Sequence, residues 1–168
     1  MTIETPLDLP PAASAEHSRF VQRVRRRYNE LLALLAPGAP DAASIGALVE
    51  TLMARGQTLP AALRTARHLV IERLAVIDVE QGAPLASVTS AMTSLAEVAL
   101  EAALAHALQD TATRHGLPRT VAGTPIDFWI VGMGKLGARE LNVSSDIDLV
   151  YVYEDDGSTD GAESTSAH

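Results

Sequence analysis

Apolar residues recur at steps of three and four along two long stretches of this 168-residue chain. Leu63, Val70, Leu74 and Ile77 predict a helix over residues 60–79. Leu85, Val88, Met92, Leu95, Ala99 and Ala102 predict a longer one over residues 85–114. Gly82-Ala83-Pro84 separates the two, and His115-Gly116-Leu117-Pro118 closes the second. Upstream, residues 41–55 read as a helix with Asp41 as N-cap and Gly56 as stop. Residues 14–36 read as a further helix, ended by Pro37-Gly38. The many alanines permit close helix–helix approach. Beyond residue 118 the helical period gives way to short β-branched runs. Residues 119–125 read as a loop, 126–131 as a strand, 135–141 as a short helix, 142–145 as a turn and 147–153 as a second strand. The predicted fold is α+β. Residues 1–14 read as a disordered N-terminus, 15–118 as a helical region, 119–153 as the start of a second domain, and 154–168 as an acidic, flexible tail. Two strands are too few for a stable sheet, so the sheet is expected to be unfinished and the chain a fragment.

Composition narrows the class. The chain is 47% hydrophobic, enough for a sizeable core, and carries a net charge of −8. A general nucleic-acid binder would be basic. There is no cysteine, hence no disulfide framework and no thiolate metal site, which fits a reducing compartment. The N-terminal MTIETPLDLPPAASAEHS has no apolar core of a signal peptide. No stretch approaches about 20 uninterrupted apolar residues, so no transmembrane helix is expected. The reading is a cytoplasmic protein with neither membrane nor nucleic-acid partners. His17, His68, His106, His115 and His168 are scattered, with no pair at metal-ligand spacing. Arg19, Arg23, Arg25, Arg26 and Arg27 form a basic cluster. It is read as a solvated helix face, with a contact to nucleotide, RNA or a protein partner as the alternative. Arginine occurs twelve times and lysine once, and that one lysine, Lys135, stands inside a glycine motif.

That motif, GMGKLG (132–137), is followed at short range by Ser145-Asp146-Ile147-Asp148 at the head of the second strand. In a strand, alternation puts Asp146 and Asp148 on one face. Two adjacent carboxylates repel each other, and a divalent metal pair resolves that repulsion. A glycine-rich turn offers backbone N–H groups to a phosphate. The combination reads as a metal-dependent nucleotide site. GMGKLG also fits the dinucleotide fingerprint GxGxxG, with Glu154 about 20 residues on as the ribose acid. Spacing argues against it. Only the eight residues from Ala138 to Ser145 precede the next strand, whereas a parallel crossover needs a dozen or more. A P-loop is excluded because Leu136, not Ser or Thr, follows Lys135. The plain alternative is a tight turn beside two surface aspartates.

The stretch GMGKLGARELNVSSDIDLVYVY closely resembles the nucleotidyltransferase motif of the bacterial glutamine synthetase adenylyltransferase/adenylyl-removing enzymes. These belong to the DNA polymerase β-like nucleotidyltransferases. RTARHLVIERLAVIDVEQGAPLASVTSAMTSLAEVALEAAL resembles the helical region before that motif, and the resemblance covers residues 15–153. It implies that residues 119–153 begin a nucleotidyltransferase domain. It further implies that Asp146 and Asp148 ligate Mg²⁺, that Gly132 and Gly134 let the backbone approach phosphate, and that Lys135 and Ser145 supply charge and a hydroxyl there. Family members carry two such units, and ELNVSSDIDL with Met133 between the glycines resembles the first, adenylyl-removing one. The implied reaction is phosphorolysis: phosphate attacks the AMP phosphorus on a tyrosine of glutamine synthetase and releases ADP, the mirror of adenylylation from ATP. The PII signal protein is a further implied partner. The PII uridylyltransferases share SDIDL but differ at the Gly134-Lys135-Leu136-Gly137 turn. The superfamily also uses a third carboxylate on a later strand. Asp155, Asp156 and Asp160 are poor substitutes, so the chain alone is expected to be nearly inactive. The competing class is a non-catalytic helical module that binds a partner.

Overall fold

The computed structural model describes residues 13–161 and 166–167. The expected disorder of residues 1–12, and the end of the tail at 162–165 and 168, lie outside the described residues. The fold is α+β, as the sequence predicts. Among the described residues five α-helices, α1 (Arg19–Arg27), α2 (Ala42–Ala54), α3 (Leu59–Gln81), α4 (Leu85–His115) and α5 (Gly134–Gly137), combine with short antiparallel strands.

The second, third and fourth predicted helices form within a few residues of their expected limits. Asp41 caps α2 through a reciprocal pair of bonds. Its carboxylate accepts from the Ser44 N–H at 2.8 Å, and its own N–H donates to Ser44 Oγ at 2.9 Å. Those bonds to Ser44 hold the Asp41 carboxyl below its ordinary range. Gly82 ends α3 in a left-handed conformation, φ +62°, which costs glycine little. The first predicted helix is instead broken into a 3₁₀ turn (Ala15–His17), α1, and a second 3₁₀ stretch (Asn29–Leu34). Ser18 causes the first break by accepting from the Val21 N–H as an N-cap. A serine that bonds its neighbours' backbone competes with helix continuation. Tyr28 causes the second by leaving helical geometry at φ −122°, which brings its ring onto His68 of α3, centroids 5.6 Å apart.

The core lies between α1, α2, α3 and the first half of α4. Ile45, Leu48, Leu52, Leu69, Val70 and Leu74 are wholly or almost wholly buried. By length and composition alone α4 could cross a membrane, with mean hydropathy 1.2 over its most apolar window. Four of its residues, Val88, Ala91, Met92 and Leu95, pack into this core.

Strands β2 (Phe128–Gly132) and β3 (Leu149–Tyr153) pair antiparallel, from Phe128 opposite Tyr153 to Gly132 opposite Leu149. Antiparallel pairing removes the dinucleotide-fold alternative, which requires parallel strands. The sheet carries Phe128, Ile130 and Leu149 on one side. The other side holds Trp129, Val131, Val150 and Val152, all more than a third exposed. Two expectations are corrected at the chain's β1 (Pro118–Thr120) and β4 (Gly157–Thr159). The first strand forms inside the predicted loop, and the second inside the predicted unstructured tail. They pair with each other, and β5 (Ser166–Ala167) adds to β4. Asp160 fastens the segment by accepting from the Leu117 N–H and pairing with Arg119. These bonds hold its carboxyl below the ordinary range.

Candidate functional site

The glycine motif forms the tight strand–turn–helix step that its composition demands. Gly134 adopts φ +54°, a backbone state that strains most other residues. Nothing stands within 4 Å of where its Cβ would be, so the turn is open on that side. Gly137 has a different reason to be glycine: a Cβ there would come within 2.5 Å of the Gly132 carbonyl oxygen. A Cβ on Gly132 would press on Leu136. Gly132 and Gly137 thus serve the close packing of α5 on β2.

The predicted short helix 135–141 shrinks to α5. Arg139 takes φ +60°, and the Glu140 N–H donates to the Lys135 carbonyl at 2.8 Å. This reversal turns Leu141 into the helical core, where it joins Leu136. Arg139 closes the reversal by gripping Glu97 of α4 with both guanidinium nitrogens. The site is therefore anchored to the helical region from beneath. No local pattern signals the Arg139–Glu97 pair, because its members lie 42 residues apart.

Asn142 organises the next turn. Its side-chain oxygen accepts from the Ser144 N–H at 3.2 Å and from Ser145 Oγ at 2.8 Å, the local bonding asparagine favours in turns. Lys135 Nζ reaches back to Ser145 Oγ at 3.4 Å. The turn after β2 and the turn before β3 are thus brought side by side. One further bond fixes the acidic pair: the Met133 N–H donates to the Asp148 carbonyl at 2.9 Å.

The acidic pair lies just before the strand rather than within it, since β3 begins at Leu149. The Met133 bond nevertheless extends the ladder by one step, so alternation places Asp148 on the side of Val150 and Val152. Asp146 and Asp148 are both exposed. Neither carboxylate has a hydrogen-bond or ion-pair partner among the described residues. Such uncommitted hard oxygen donors suit Mg²⁺, which is held by one or two carboxylates plus waters and phosphate oxygens rather than by a full protein cage. No group of three or more metal-capable side chains occurs among the described residues. Asp160 is committed to Arg119, and Asp156 accepts from the Tyr153 hydroxyl.

Ser145 and Asp146 also line a groove of about 330 Å³ against α3 and α4, with Arg64 and Arg67 on its α3 wall. Along the chain these arginines lie within one helical stretch that nothing marks as functional. Only the fold brings them to the acidic turn. Of the Arg19–Arg27 cluster, Arg25 is internal: it pairs with the buried Glu72 at 2.7 Å and with Glu16 at 2.9 Å. Arg23 and Arg27 are exposed beside Phe20, Tyr28 and His68.

The Glutamate-ammonia ligase adenylyltransferase family model matches residues 12–168. A bifunctional glutamine synthetase adenylyltransferase/adenylyl-removing enzyme of Burkholderia pseudomallei is 39% identical over 166 residues, which is 94% of this chain and 18% of that protein. Those of Ralstonia nicotianae and Bordetella pertussis are 41% identical over 157 residues and 50% identical over 107 residues, covering 88% and 63% of this chain and 16% and 11% of theirs. The chain thus spans less than a fifth of the length of these relatives.

Proposed function

The chain belongs to the glutamate-ammonia ligase adenylyltransferase family, and from that premise we propose that residues 132–148 form a nucleotidyl-transfer site that regulates glutamine synthetase. Within that reading, ELNVSSDIDL favours the adenylyl-removing direction. The protein substrate is glutamine synthetase carrying AMP on a tyrosine. Phosphate is the co-substrate, ADP the product, and the PII signal protein a regulatory partner. The reading places the chain in the cytoplasm.

The observation that carries it is the pair of exposed, unpartnered carboxylates set against the Lys135–Ser145 contact. Asp146 and Asp148 would hold Mg²⁺, which would neutralise charge on the transferring phosphoryl group. The remaining work falls to the chain's own groups. The open turn at Gly134 lets backbone N–H groups approach phosphate oxygens. Lys135 adds a positive charge there, its Nζ 3.4 Å from Ser145 Oγ. Met133 and Asn142 hold the two turns in register, so the donors are in place before substrate arrives. Preorganised donors of this kind stabilise charge as it develops in the transition state.

Titration of ADP into the chain, with Mg²⁺ and then with EDTA, tests the reading. Binding is expected only with Mg²⁺, and Asp148→Ala is expected to weaken it about tenfold or more, since it removes one of two anionic donors. ADP binding that ignores both Mg²⁺ and Asp148→Ala would overturn it.

A further inference from the structure

The groove beside Asp146 has two kinds of wall. Met92, Leu95 and Ala99 of α4 and Leu141 and Val143 of the turn make it apolar within, while Arg64 and Arg67 line it together with Ser145 and Asp146. The two arginines are three residues apart on one helix and so project together. Neither has a carboxylate partner among the described residues, where the ion pairs engage Arg25, Arg114, Arg119 and Arg139. Both guanidinium groups line the same groove as the acidic turn. They match an anion brought close to Asp146, which without them would be repelled there.

We propose that this groove is the subsite for the nucleoside 5′-phosphate handled at the acidic pair, with Arg64 and Arg67 as its phosphate-positioning residues. The inference rests on the nucleotidyl-transfer reading. Size and wall chemistry select the ligand. A volume of about 330 Å³ is at the small end of ligand pockets, which suits a nucleoside. Apolar walls would contribute nothing to free phosphate but would cover a purine ring. The guanidinium fork matches phosphate oxygens in a bidentate manner, which a single lysine does not. Because the arginines sit on α3 and the carboxylates on the turn before β3, the ligand would bridge the helical region and the sheet.

The test is ADP and inorganic phosphate titrated separately, with Mg²⁺, into the full chain and three variants: Arg64→Gln/Arg67→Gln, Ala99→Leu, and Asp148→Ala. The arginines are exposed, so circular dichroism should show an unchanged helical signal in the double variant. That variant is expected to weaken ADP about tenfold or more, as loss of charge-assisted phosphate bonds does. Ala99→Leu, which fills the groove, is expected to weaken ADP but not phosphate. Wild-type affinity for ADP in both groove variants, with Asp148→Ala still impaired, would overturn the subsite and leave the acidic-pair reading intact. Phosphate binding as tightly as ADP, with both equally insensitive to Ala99→Leu, would also overturn it. No ADP binding by the unaltered chain would remove both readings together.

Discussion

At the scale of single residues, His68 shows how position decides a property that residue type leaves open. Burial, with Arg67 and Arg27 nearby, pushes its imidazole below the ordinary value of 6.5. The Tyr28 and Phe20 rings lie against it. A histidine whose folded pKa lies below its unfolded one binds protons less readily when folded. Its neutral form therefore favours the fold above pH about 6.5, and that contribution is lost as pH falls from there toward the depressed value. The melting temperature of the wild type is expected to drop between about pH 7 and pH 5.5 by more than that of His68→Phe. Parallel profiles for the two proteins would contradict this. The glycine motif makes a similar point. Its pattern is visible in the sequence, but only coordinates separate Gly134, which needs a left-handed backbone, from Gly137, which needs room beside Gly132.

At the scale of elements, α1 is short and strongly basic, and it is held to α3 by one asymmetric ion pair. Glu72 is buried, while its partner Arg25 is about a third exposed. The contact raises the Arg25 guanidinium above its ordinary value, chiefly through the hydrogen bond to Glu72. Arg25→Ala would leave a buried carboxylate unpaired. The expected loss is about 2 kcal/mol, below the range for fully buried pairs because water reaches Arg25. Arg25→Ala/Glu72→Leu should recover much of it, since replacing both partners removes the unpaired charge. Urea midpoints of the single and double variants measure this, and equal midpoints would refute it. The spacing of the basic cluster predicts a solvated helix face. That holds for its exposed members but not for Arg25.

At the scale of the whole molecule, the helical region and the β2–β3 turn share one core. Leu136 and Leu141 are buried in the same cluster as Leu48, Leu69 and Leu95. Unfolding followed by helical circular dichroism and by fluorescence of Trp129, the one tryptophan, is therefore expected to coincide. Leu141→Ala should lower stability by about 3 kcal/mol. If Trp129 changes well before the helices do, the two parts are not one cooperative unit. The sequence by itself determined three of the long helices, the strand–turn–strand order and the position of the acidic pair. Those rest on local periods, caps and glycine chemistry, which a linear reading can follow. It missed the break at Ser18 because a serine inside an apolar pattern looks tolerable until its side chain is seen to cap. It missed β1 and β4 because Gly157 pairs with Thr120 only after β2, α5 and β3 have intervened. The tertiary structure alone decided that Arg139 grips Glu97, that Asp160 is committed to Arg119, and that Arg64 and Arg67 share a groove with Asp146. Each of these depends on groups separated by tens of residues, and side-chain charge has no period along the chain from which such pairings could be read.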